Sequence, residues 1–157
     1  MEYDAVTASN NILARSFAEG ITITPMKLQK ILYFMASEYR KRTGHDLFPE
    51  SFLTWEYGPM LNSVYREFRG FSRSRITRYA QDATGESVLY DEDSNTVFRD
   101  VLSRVWLVTR DKSAVELSEI THCQDSAWDK AFQNYQSVLS NDDIAKDETY
   151  RELRGLS

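Results

Sequence analysis

The sequence predicts a mainly α domain of about six to seven helices with one small β-hairpin. Three observations carry this. Apolar residues recur at helical spacing in segment after segment, hydroxyl and amide residues stand where helix caps belong, and only residues 75 to 90 read like a pair of short strands around a turn.

Val6, Leu13 and Phe17 space a first helix that ends near Gly20. Thr24 then caps the best-marked helix, with Pro25 at the position where a missing N–H costs nothing. Leu28, Ile31, Leu32 and Met35 form its i, i+3, i+4, i+7 stripe, and Gly44 stops it after Thr43. Ser51 to Glu56 is too short for a stable helix and reads as extended or loop. Gly58-Pro59 breaks the chain and opens a helix carrying Leu61, Val64, Tyr65 and Phe68 on one face. The hairpin is expected from Ile76–Tyr79 and Ser87–Tyr90 around Ala83-Thr84-Gly85-Glu86. Phe98, Val101, Leu102, Val105 and Trp106 return to helical spacing behind Ser94-Asn95. Ser113-Ala114-Val115-Glu116 is a capping box, in which hydroxyl and carboxylate each satisfy a backbone donor. Ser126 starts a helix with Trp128 and Phe132, and Ser140 a last charged one expected to fray toward Ser157.

The chain has 157 residues, 41% hydrophobic and 13% aromatic, enough to bury one core, so a single domain spanning 1–157 with a charged tail from about 145 is expected. With 19 Lys+Arg against 24 Asp+Glu the formal net charge is −5, which argues against a chain devoted to non-specific adhesion to nucleic acid or anionic lipid without excluding a local basic patch. One cysteine, Cys123, allows no internal disulfide and no thiolate-rich metal site, and fits a reducing cytoplasmic setting. The first residues lack the basic start of a secretory signal, and no apolar run reaches the roughly 20 residues of a membrane span.

Arg66, Arg69, Arg73, Arg75 and Arg78 lie within 13 residues, with Glu67 the one acid among them and Phe68, Phe71 and Tyr79 interleaved. Guanidinium forks beside rings suit phosphate, stacked bases or a partner's carboxylates, and equally suit a solvated loop whose Arg stems cover apolar rings. Asp91, Glu92, Asp93 and Asp100 lack the glycine and ligand spacing of a calcium loop, and read as a polar turn plus helix-start charge. His122-Cys123 is no activated pair, since neighbours on a helix point about 100° apart. No metal, cofactor or catalytic motif emerges, and an enzyme would need His45 and His122 to meet in a cleft. Trp55-Glu56-Tyr57-Gly58-Pro59 is either a binding edge with Trp55 and Tyr57 displayed, or a packed corner whose rings fill core while Gly58 takes a positive φ.

Three segments together resemble one family. They are Thr24-Pro25-Met26-Lys27-Leu28-Gln29-Lys30-Ile31-Leu32-Tyr33-Phe34, then Trp55-Glu56-Tyr57-Gly58-Pro59 with Val64-Tyr65, then Leu117-Ser118 through Thr121-His122 to Trp128. Their order and spacing, over roughly residues 5 to 145, are similar to the SocA-like, Panacea-domain antitoxins, a group that includes phage-associated and GepA-like proteins. The resemblance implies a mainly helical domain without catalysis or cofactor that silences a cognate toxin, usually encoded beside it, by direct protein contact. In one style the antitoxin instead acts as an adaptor delivering the toxin to an ATP-dependent protease. A third expectation, from the Arg-rich stretch and hairpin acting as a wing, is a nucleic-acid-binding regulator. Lys27, Gln29, Lys30, Tyr33, Trp55, Tyr57, Gly58, Pro59, His122 and Trp128 match the family's motifs. Members face different toxins, so these shared residues are expected to be scaffold, with Trp55, Tyr57, Pro59, His122 and Trp128 organising the core. Arg66, Arg69, Arg73 and Arg75, with Tyr57, are expected to touch the partner.

Overall fold

A computed structural model describes residues 2–153 and 156. Among the described residues it has seven α-helices and one two-stranded antiparallel sheet, in the order α1 (Ala5–Glu19), α2 (Pro25–Thr43), β1 (Leu53–Trp55), β2 (Gly58–Met60), α3 (Asn62–Phe68), α4 (Thr96–Thr109), α5 (Ala114–Thr121), α6 (Ala127–Gln133) and α7 (Asn141–Lys146). The mainly α class with a small hairpin is what the sequence predicts. Among the described residues no helix is long and apolar enough to cross a membrane.

α2 is the central element. Thr24 accepts from the Lys27 N–H at its start, and Gly44 closes it in the left-handed region. It packs against α4, α5 and α7, and every residue from Lys27 to Ser37 is buried. A helix buried on all sides must find partners for its polar side chains, because an unmet buried polar group costs roughly 1 to 3 kcal/mol. Gln29 uses its whole carboxamide on one residue: Nε2 donates to the Leu61 carbonyl (3.1 Å) and Oε1 accepts from the Leu61 N–H (2.9 Å). Lys27 Nζ donates to the Arg110 carbonyl at the end of α4 (2.7 Å). Tyr33 donates to Asp147 Oδ2 (2.5 Å), and Asp147 also accepts from the Thr149 N–H and hydroxyl and from the Ala127 N–H. Asp147 thus ties α2, α6 and the chain beyond α7 into one network. Asp147→Ala is expected to cost about 2 to 3 kcal/mol, read as a lowered urea midpoint with unchanged slope, because it strands a buried phenol and a backbone donor.

The strands lie elsewhere than predicted. Residues 76–90 form no strand pair, although Asp82–Glu86 does turn, with Glu86 accepting from Asp82 at 2.7 Å. The two arms bond instead to helix α1. The Asn10 carboxamide donates to the carbonyls of Ala80 and Val88 and accepts from the Ala80 N–H, while Asn11 does the same for Tyr90 from both sides. Amide side chains between the two arms replace the ladder expected around the turn. The observed hairpin is the stretch read as extended or loop, pairing Leu53 with Met60 and Trp55 with Gly58. Pro59 therefore sits in β2 and does not open a helix; α3 starts at Asn62.

The chain end also differs. α7 stops at Lys146, and a 3-10 turn at Thr149–Glu152 brings Tyr150 into the core, stacked 5.0 Å from Phe34, with Leu153 buried beside it. Tyr150, Leu153 and Leu156 are all buried in this charged stretch, and the Tyr150 hydroxyl donates to Ser37 Oγ at 2.9 Å. Residues 154, 155 and 157, at the end of the stretch expected to fray, lie outside the described residues.

Candidate functional site

The site grows out of the β1–β2 turn. Gly58 takes φ +114°, a left-handed conformation, and lets the chain reverse within two residues. Three consecutive carbonyls of that turn are then held by side chains from the α5–α6 region. Trp128 Nε1 donates to Trp55 O (2.7 Å), His122 Nε2 lies 2.6 Å from Glu56 O, and the Ser118 hydroxyl donates to Tyr57 O (2.8 Å). His122 Nδ1 faces a second carbonyl, Ser118 O, at 2.6 Å, and the ring sits 4.0 Å from the Trp128 ring. A carbonyl only accepts, so both His122 contacts are hydrogen bonds only when each ring nitrogen carries a hydrogen.

With their backbone fixed from behind, the side chains of this turn face outward. Trp55 is 37% and Tyr57 54% exposed, and Glu56 is exposed between them. This corrects the expectation that both rings organise the core: Gly58, Pro59 and Trp128 are buried, while Trp55 and Tyr57 contribute backbone inward and rings outward. Trp55 still leans on Tyr65 of α3, edge to face at 4.9 Å.

Beneath the turn lies the Lys30 amine. Lys30 is 1% exposed, and a Cβ built on Gly58 would stand 3.0 Å from its Nζ. No carboxylate pairs with it among the described residues, and burial pushes its pKa down to about 7. Lys27 is shifted down by burial as well, opposed by Asp111 and Glu116.

Beside Tyr57 an open groove of about 630 Å³ runs between the start of α2, the chain after α3, and α5. Met26, Tyr57 and Val115 give it apolar walls, Arg73 and Glu119 carry opposite charges along it, and His122 also lines it. Its Arg-bearing edge is a strained backbone: Ser72, just past the 3-10 turn at Arg69–Phe71, takes φ 56°, ψ −113°. A side-chain-bearing residue there costs on the order of 1 to 3 kcal/mol, and persists only where surrounding contacts impose it.

The sequence family described as antitoxin SocA-like, Panacea domain, matches residues 28–129. The chain belongs to that family. Among curated proteins, the chain is similar to antitoxin SocA of Caulobacter vibrioides (strain NA1000 / CB15N), 27% identical over 129 residues that cover 80% of this chain and 69% of that protein. No solved structure matches it.

In this SocA-like chain the motif residues converge on the turn or its support. Gln29 holds Leu61, the residue after β2, Lys30 underlies Gly58, and His122 with Trp128 grips the turn's carbonyls. Tyr33 and Lys27 tie α2 to more distant parts of the fold. Arg66, Arg69, Arg73 and Arg75 are all exposed and none has an ion pair among the described residues, whereas Arg78 lies over the Phe71 ring and 3.9 Å from Glu67. Of the acids at 91–100, Asp91 acts locally, accepting from Asp93 N–H and the Ser94 hydroxyl, while Glu92 clasps Arg15 of α1 at 2.8 Å and Asp100 neighbours Arg42 of α2. His45 stands exposed beyond the end of α2, and Cys123 is exposed. The reading from sequence placed Ser118 in a family segment but gave no role to its hydroxyl, which completes the grip. The signal available was a hydroxyl one helical turn before His122, on the same face.

Proposed function

We propose that this protein is a cytoplasmic, non-enzymatic antitoxin that neutralises a cognate toxin by direct protein contact, with the β1–β2 turn at the centre of the contact face. The clasp on three successive carbonyls is the observation that supports it most. Trp55, Glu56 and Tyr57 are displayed on a backbone already fixed before any partner arrives. A pre-ordered aromatic loop loses little conformational entropy on binding, and tyrosine and tryptophan are the side chains that most often dominate protein interfaces. The toxin's active site or substrate path would be covered by this face, and no cofactor enters.

Co-production with the product of the neighbouring gene tests it. Growth should be restored by the wild-type chain, purified partners should form a complex, and Tyr57→Ala should weaken that complex roughly tenfold or more without changing the fold, since the ring is largely in solvent. A product that stays lethal beside soluble antitoxin, or that is harmless alone, defeats the proposal. Rescue that disappears in a strain lacking the ATP-dependent protease would point to delivery for degradation instead of occlusion.

A further inference from the structure

The groove beside the turn has a chemistry that narrows what can fill it. Its apolar walls include Val115, which is 62% exposed, so the surface is left uncovered by the chain's own fold. Arg73 lines one edge, and Arg66, Arg69 and Arg75 continue the same exposed stretch, four guanidinium groups without an ion pair among the described residues. Glu119 stands on the α5 wall and Glu56 at the adjoining turn, both exposed. Ser72, at φ 56° and ψ −113°, leads the chain into this edge.

We propose that this groove receives a segment of the toxin that seats an apolar side chain between Met26, Tyr57 and Val115 and sets carboxylates against Arg73 and the arginines beyond it. The proposal rests on the antitoxin reading and gives it a contact surface. A nucleic acid suits the groove less well, because a phosphate strand laid along it would meet Glu119 and Glu56 as well as the arginines, and would leave the apolar walls without a match. A polypeptide can carry an apolar anchor with charge on one flank only. Arginines without an ion pair among the described residues favour that acidic flank, since each can take a carboxylate bidentately without first giving up such a pair.

The test measures binding of the full chain to the neighbouring-gene product and to fluorescein-labelled 15-residue peptides tiling that product. Arg73→Glu and Val115→Asp are the informative variants. Both positions are exposed, and an acid in the first turn of α5 is compatible with the helix dipole, so folding is preserved and circular dichroism confirms it. Each substitution should weaken binding at least about tenfold. The peptides that bind should carry Asp or Glu beside a large apolar residue, and their affinity should fall as salt is raised. Tyr135→Ala, at a residue 97% exposed and outside the groove, should leave binding unchanged. If the wild-type chain binds the product while both groove variants bind as tightly, the groove proposal is overturned and the antitoxin reading stands. If the wild-type chain does not bind the product at all, both fall. Tight binding of a labelled duplex or single-stranded DNA that Arg73→Glu abolishes and the product does not displace would also overturn it.

Discussion

Gly58→Ala should destabilise the protein by roughly 3 to 5 kcal/mol, more than almost any single surface change, and should unseat the contact turn with it. Two separate costs add. The backbone at φ +114° lies outside the regions open to a residue with a Cβ, and the new methyl would stand 2.6 Å from Thr121 Oγ1 and 3.0 Å from Lys30 Nζ. Thr121 cannot simply rotate away at no cost, because its hydroxyl is bonded to Ser118 O at 2.7 Å. Comparison variants separate the two costs. Gly20→Ala meets a positive φ of +69° with nothing within 4 Å of the new carbon, so it should show conformational strain alone, about 1 kcal/mol. Gly58→Ala combined with Thr121→Ala should recover the part due to collision with Thr121 and not the part due to φ or to Lys30. Urea unfolding of the four proteins measures this. An effect at Gly58 no larger than at Gly20 would mean that the turn is not packed against α5 as described.

The helices were legible because their signals are local. Thr24-Pro25, Ser113-x-x-Glu116 and Ser126 mark starts through bonds made within one turn, and Gly20 and Gly44 mark ends through a backbone conformation that glycine takes cheaply. The hairpin was misplaced because strand pairing is not local. Residues 76–79 and 87–90 flank a good turn, yet their partner is an amide pair on α1 some 70 to 80 residues away, and nothing within the segment reveals that. A clue did exist in Asn10-Asn11, two adjacent poor helix formers inside a helix, a placement that makes sense when the side chains serve distant backbone. The site was half legible for a related reason. Gly58 and the arginine run announce themselves by residue type, but the separation of Trp55 and Tyr57 into inward backbone and outward rings depends on donors from residues 118, 122 and 128. Composition at the turn alone could not choose between binding edge and packed corner.

The stability of this protein should rise as pH is raised from 7 toward 10, opposite to what its acidic composition suggests, and Lys30 is the main reason. An amine ordinarily near 10.5 is held at about 7 because burial removes the water that would stabilise its charge. Between those two values the unfolded chain binds a proton that the folded chain does not, so each pH unit adds about 1.4 kcal/mol to stability, and the full window is worth on the order of 4 to 5 kcal/mol. Below pH 7 the amine is charged in both states and its contribution is flat at its least favourable level. Lys27 and Lys41, also shifted down by burial, act in the same direction. The buried phenols act in the opposite one. Burial, with Asp147 for Tyr33 and Glu38 for Tyr150, raises both, so above about pH 10 the unfolded chain loses protons that the folded one keeps and stability turns down again. Lys30→Met keeps the length of the side chain and removes the charge. It should be more stable than wild type by roughly 3 to 5 kcal/mol at pH 7, with the difference closing by about pH 10. Denaturant titrations of both proteins at pH 6, 7, 8, 9 and 10 read this directly. A wild-type curve that is flat or falling over that range, or a methionine variant less stable at pH 7, would show that the Lys30 amine has access to water or to a partner that its burial under Gly58 does not suggest.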